Sequence, residues 1–186
     1  MRYYLIVEGN TTKQQGPDLT QAFQQLFKKL QIKHKPRVVA AGGRHDALRE
    51  YIKRRNKGDT AILLIDSERA VPSEVSSGPP KSWNAWAAVN YGGAKGVTPP
   101  KDAPVEDCQL CLQAMEAWYL AAKGYEKVEQ LSPSDALAKV KAIHQHYRKG
   151  DFHLLFDADP AKIIAASPWA ARFFDEVQAR GTHASA

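Results

Sequence analysis

The chain has 186 residues, 44% of them hydrophobic and 25% charged, with a net charge of +6. That length suits one domain with a proper core, and the balance excludes a disordered or fibrous chain. No apolar run approaches the ~18 residues a membrane-spanning helix needs, and no charged-then-apolar leader opens the chain, so the sequence reads as a soluble, cytoplasmic protein without a membrane partner. The modest positive charge permits a polyanionic partner without requiring one.

The first element is Tyr3-Tyr4-Leu5-Ile6-Val7, an unbroken apolar run of the kind found in buried parallel strands, ending on Glu8 and Gly9. In residues 18–31, Leu19, Ala22, Phe23, Leu26, Phe27 and Leu30 recur at helical spacing. Pro17 and Asp18 stand at that helix's start. The stretch RVVAAGG at 37–43 reads as a second strand closed by glycines, 44–57 as a charged helix, and TAILLIDSE at 60–68 as a third strand, apolar until Asp66. Strand and helix alternate with short connections, which predicts a parallel sheet with right-handed crossovers. Ligands of such sheets bind at the carboxyl ends of the strands, where Glu8, the Gly42-Gly43-Arg44 turn and Asp66-Ser67-Glu68 all fall.

An insertion over about 70–106 has a different composition. Residues 72–104 hold six of the eleven prolines, with Trp83, Trp86 and Tyr91 among glycines and serines. A connection that long is often functional; a flap over a site and a packed surface loop are both open. CQLCLQ at 108–113 reads as a fourth strand. The part after about 114 reads as helical to about 180: AMEAWYLAAK carrying Glu116, then 134–148 and 160–180, with a fresh start at Ser167-Pro168, a cap followed by proline.

Asp66 and Glu68 form an acidic pair two residues apart at a strand end, hence on one side of it. Such a pair calls for a positive charge, either a hard cation such as Mg²⁺ with oxygen ligands or salt bridges from Arg44 and Arg69. Glu8 either joins them at the same sheet edge or accepts from the amides of its own turn. If the first and third strands are neighbours, a spacing of roughly 4.8 Å brings the three carboxylates within reach of one cation. Glu116, on a mostly apolar helix, needs a partner, either metal or a basic side chain. Gly42-Gly43-Arg44 reads as a plain turn in preference to a phosphate cradle. Cys108 and Cys111 have no second cysteine pair or matching histidines, so they read as small strand residues. His144 and His146 read as surface residues. No Walker loop, G-x-G-x-x-G or nucleophile elbow occurs.

With these residues in place, the arrangement resembles the Toprim fold of topoisomerases, DnaG-type primases and OLD-family nucleases, which has a Glu after its first strand and an acidic pair after its third. LIVEG and LIDSE supply these, with Glu68 in place of the usual second Asp. More narrowly, AAGGR, LLIDSE, QAMEAWYLA and DPAKIIAASPWAARFF resemble the DUF4276 family of Toprim-like proteins. QAMEAWYLA is also similar to the FExW segment of RloB-like proteins, found beside ATPase genes in bacterial defence loci. The resemblance implies a single α/β domain over 1–186, a Toprim-like Rossmannoid three-layer sandwich with a mostly parallel sheet and helices on both faces. It implies Glu8 as general acid/base or ligand, Asp66 and Glu68 as Mg²⁺ (or Mn²⁺) ligands, and Glu116 as a further one. Lys13, Arg44 and Arg69 flank the acidic turns and are the candidates for nucleic-acid phosphates. The implied activity is metal-dependent, nuclease-like phosphodiester cleavage in phage defence, with an AAA- or ABC-type ATPase as partner. The alternative is a non-catalytic module binding nucleic acid or that ATPase. Two departures stand out: NTTKQQ lacks the second Glu that RloB-like chains carry there, and KGDFHLLFDADP is shorter than the usual basic, aromatic stretch.

Overall fold

The computed structural model describes residues 2–9, 18–66, 70–71, 115–148 and 150–184, and the backbone of 108–111. It is an α/β domain built on a parallel sheet. The strands are β1 (Tyr3–Val7), β2 (Arg37–Ala40), β3 (Thr60–Asp66) and β4 (Cys108–Cys111), in the order β2-β1-β3-β4. β1 is flanked by β2 and β3, with Val7 opposite Ala40 on one side and Leu64 on the other. All five β1 residues are buried, as a strand covered on both faces requires.

Seven helices are described: α1 (Leu19–Lys29), α2 (Arg44–Asn56), α3 (Met115–Ala122), α4 (Pro133–Ile143), α5 (His153–Asp157), α6 (Pro160–Ala166) and α7 (Pro168–Ala184). Local chemistry sets their ends. Asp18 and Gln21 form a reciprocal capping box at α1. Ser132 and Asp159 cap α4 and α6, each followed by a proline in the first turn. Ser167 Oγ accepts from the Ala170 N–H at the start of α7. The helical stretch over 160–180 is two helices, with the fresh start foreseen at Ser167-Pro168, where proline disfavours a helical backbone in the residue before it.

The two faces of the sheet differ. On one, Phe23 of α1, Trp118 of α3, and Phe173 and Phe174 of α7 form a single aromatic cluster with ring centroids 5.0–6.1 Å apart. The Tyr3 hydroxyl reaches into this face and donates to Val177 O at 2.9 Å. On the other lies α2, whose Arg54 guanidinium sits 4.2 Å from the Tyr4 ring centroid. Tyr3 and Tyr4 thus label the two faces, and strand alternation extends the labels along β1. Among the described residues, no helix is long and apolar enough to cross a membrane.

Candidate functional site

The carboxyl ends of β1, β2 and β3 meet in one polar cluster. β1 continues past Val7 with Glu8 N donating to Leu64 O at 2.9 Å. Gly9 then pairs antiparallel with Gly42, each N–H donating to the other's carbonyl at 2.8 Å. Glycine is favoured at position 9: its φ is +150°, which other residues rarely adopt, and a Cβ there would stand 2.5 Å from Leu19 Cδ2. This turn ends β2 at Ala40, short of the Gly43 foreseen from the sequence.

Glu8 lies on the α2 face, in step with Tyr4 and Ile6. Its Oε2 accepts from the Asp66 main-chain N–H at 3.2 Å and stands 3.6 Å from Arg44 Nε. Arg44, the first residue of α2, donates through Nη2 to Asp66 O at 2.8 Å. Both side chains are largely buried, 17% exposed for Arg44 and 14% for Glu8. The guanidinium therefore clamps the ends of β1 and β3 together. The backbone amide that Glu8 accepts from is that of Asp66 on the neighbouring strand, not one of its own following turn.

The Asp66 side chain belongs to the opposite face. The register pairs Val7 with Leu64, so Leu64 and Asp66 share the side of Tyr3 and α7. There, Glu116 at the start of α3 is 5% exposed and accepts a 2.9 Å hydrogen bond from the Tyr147 hydroxyl. Burial, then the charges of Glu116, Asp151 and Asp66, push the Tyr147 phenol above its ordinary range, so it remains a protonated donor. Glu116 holds this phenol by a hydrogen bond, whereas Asp66 at the end of β3 adds only the smallest of these charge effects. Tyr147 carries no motif; it follows the end of α4 and meets Glu116 across 31 positions.

Glu8, Arg44, Asp66 and Glu116 therefore converge on one edge, divided between its two faces. Glu68, Lys13 and Arg69 lie outside the described residues, as do nearly all of the 70–106 insertion and the aromatics in it. Cys108 and Cys111 bound β4, as read from the sequence. His144 is half-buried and hydrogen-bonded through Nε2 to the Tyr119 hydroxyl, beside a cavity of about 440 Å³ shared with Lys123, His153 and Lys162, whereas His146 is exposed.

The donor chemistry fits a hard cation. Asp66 and Glu116 offer oxygen alone, and Mg²⁺ is commonly held by one or two carboxylates plus substrate phosphate. Among the described residues, no group of three metal-ligating side chains gathers at one point. Comparison with family models, curated proteins and solved structures finds no match.

Proposed function

We propose that this chain is a Mg²⁺- or Mn²⁺-dependent, nuclease-like Toprim protein that hydrolyses nucleic-acid phosphodiesters at the carboxyl edge of its sheet. The observation that carries the reading is the buried Glu116, hydrogen-bonded by the Tyr147 hydroxyl, together with Asp66 at the carboxyl end of a central parallel strand, on the same side of the sheet. Asp66 and Glu116 would hold the cation, joined by Glu68 two residues along the chain. Bound there, it would polarise the phosphate and lower the pKa of a water. Tyr147 holds Glu116 in place through its hydrogen bond. Glu8 and Arg44 fix the main chain of Asp66 from the other face, and so set where its carboxylate stands. Glu8, as the remaining carboxylate of the edge, is the candidate acid/base, and Lys13 and Arg69 the candidate phosphate contacts.

One observation favours a second reading. The Arg44 guanidinium already supplies positive charge to Glu8, which suits a structural clamp in a non-catalytic module that binds nucleic acid or an ATPase. Cleavage of labelled DNA and RNA oligonucleotides, in Mg²⁺, Mn²⁺ or EDTA, separates the two. The enzyme reading expects product only with the cation and none from Asp66→Asn, Glu116→Gln or Glu8→Gln. Binding that survives Glu8→Gln, with no product under any cation, supports the module.

A further inference from the structure

The basic charge of this chain is unevenly placed. No Asp or Glu occurs from position 19 to 45, a stretch with six Lys and Arg. Two of the six are occupied. Lys29 donates to Phe156 O and Ala158 O at 2.9 and 2.7 Å, closing the end of α5, and Arg44 belongs to the carboxyl edge. The other four, Lys28, Lys33, Lys35 and Arg37, are exposed at the end of α1 and along the connection into β2.

The sheet register brings them to a common border. Arg37 opens β2 opposite Tyr4, and Tyr3 is opposite Thr60 at the start of β3. The amino ends of the three strands are therefore side by side, about 4.8 Å apart. Exposed Arg2, just before β1, and exposed Lys57, just before β3, join this border. Asp59 also lies there, and its Oδ1 accepts the Arg2 N–H at 3.3 Å.

α2 links this border to the opposite edge. His45, Arg49, Lys53 and Lys57 recur every four positions and are all exposed, a stripe roughly 18 Å long on one side of the helix. Arg49 and Lys53 pair with Asp46 and Glu50 at 3.4 and 3.0 Å. Both cations in these pairs are more than half exposed, where ion pairs are weak and a phosphate competes readily.

We infer that the outer stripe of α2, together with the amino-edge cluster of Lys33, Lys35 and Arg37, is a binding track for a nucleic-acid backbone, separate from the carboxyl-edge site. Its chemistry is that of non-specific phosphate contact, cations spaced along a line. A lipid surface is a poorer fit. The apolar side of α2, Ala47, Leu48 and Tyr51, is buried on the sheet, leaving no residue to insert. Among the described residues, the exposed large hydrophobics are Tyr125 and Ile143, which belong to neither element.

The test is fluorescence anisotropy of a labelled duplex across a KCl series, in EDTA so that no cation-dependent step contributes. Affinity is expected to fall linearly on logarithmic axes as salt rises. The triple variants Lys33→Ala/Lys35→Ala/Arg37→Ala and Arg49→Ala/Lys53→Ala/Lys57→Ala should each bind at least about tenfold more weakly. The salt slope should shrink by about 2–3 in each, near 0.9 for every duplex phosphate that is no longer neutralised. Lys139→Ala/Lys141→Ala on α4 should bind as the wild type does, and circular dichroism should show all three variants folded. Wild-type affinity in both triple variants overturns the inference. So does binding to anionic phosphatidylserine vesicles with none to nucleic acid, which would assign the strip to a membrane surface. Absence of cleavage in the separate oligonucleotide assay leaves this result untouched.

Discussion

Arg44→Ala removes the clamp between the ends of β1 and β3. The interactions lost include the 3.6 Å approach to Glu8 and the 2.8 Å hydrogen bond to the Asp66 carbonyl. A hydrogen bond involving a charged group contributes about 1.5–3 kcal/mol. Breaking a fully buried ion pair costs about 3–5 kcal/mol, but this pair is long and about one-sixth exposed, so its share is smaller. A total loss of about 2–3 kcal/mol follows, and in a chain of this size each kcal/mol moves Tm by roughly 2–4 °C. Urea and thermal unfolding of Arg44→Ala, Glu8→Gln and the double variant measure this directly. The double-mutant cycle should give a coupling of about 0.5–3 kcal/mol, the range for residues in one network. Additive effects, or an Arg44→Ala loss under about 0.5 kcal/mol, would show that the clamp does not hold the site together.

Gly181→Ala places a Cβ 2.3 Å from the His34 carbonyl oxygen, a backbone atom that cannot swing away. Overpacking of this kind costs about 1–3 kcal/mol, seen as a lower urea midpoint. Burial raises the Tyr3 phenol while its hydroxyl donates to Val177 O. The folded state therefore keeps a proton that the unfolded state loses near pH 10. Stability should be intact below that pH and fall above it, less steeply in Tyr3→Phe; parallel melting curves would refute the assignment. Burial also raises Glu129, against hydrogen bonds from its own backbone and from Ser167. Its folded state holds a proton that the unfolded state loses above about pH 4.3, so this group's contribution to stability declines as pH rises from there. Glu129→Gln should melt at or above the wild type at pH 7, with the gap shrinking toward pH 4; a Gln variant much less stable at pH 7 would contradict this.

The order of the strands and of the first helices was legible because β1 and β3 are unbroken apolar runs and α1 shows its helical period plainly, whereas the end of α4 at Ile143 and the short α5 were not. The faces on which the acids lie were harder to see. Spacing brought Glu8 and Asp66 to one edge, yet the register that pairs Val7 with Leu64 sends their side chains to opposite sides. That register depends on how the strands align, and no local pattern records it. Arg44 was legible as a cation near the acids, but its bond to a main-chain carbonyl was not. Tyr147 was invisible, because its role comes from a contact between a turn after α4 and the buried start of α3. His144 looked like a surface residue because a lone histidine near a helix end carries no sign of the Tyr119 hydroxyl it meets.

The most direct test of the carboxyl-edge account is calorimetric titration of Mn²⁺, with and without a short oligonucleotide, into the wild type and Asp66→Asn/Glu116→Gln. The account predicts saturable binding to the wild type, strengthened by the oligonucleotide phosphates, and none to the double variant. No binding to the wild type in either condition, or equal binding to both proteins, would contradict it and leave the acidic edge as a structural clamp.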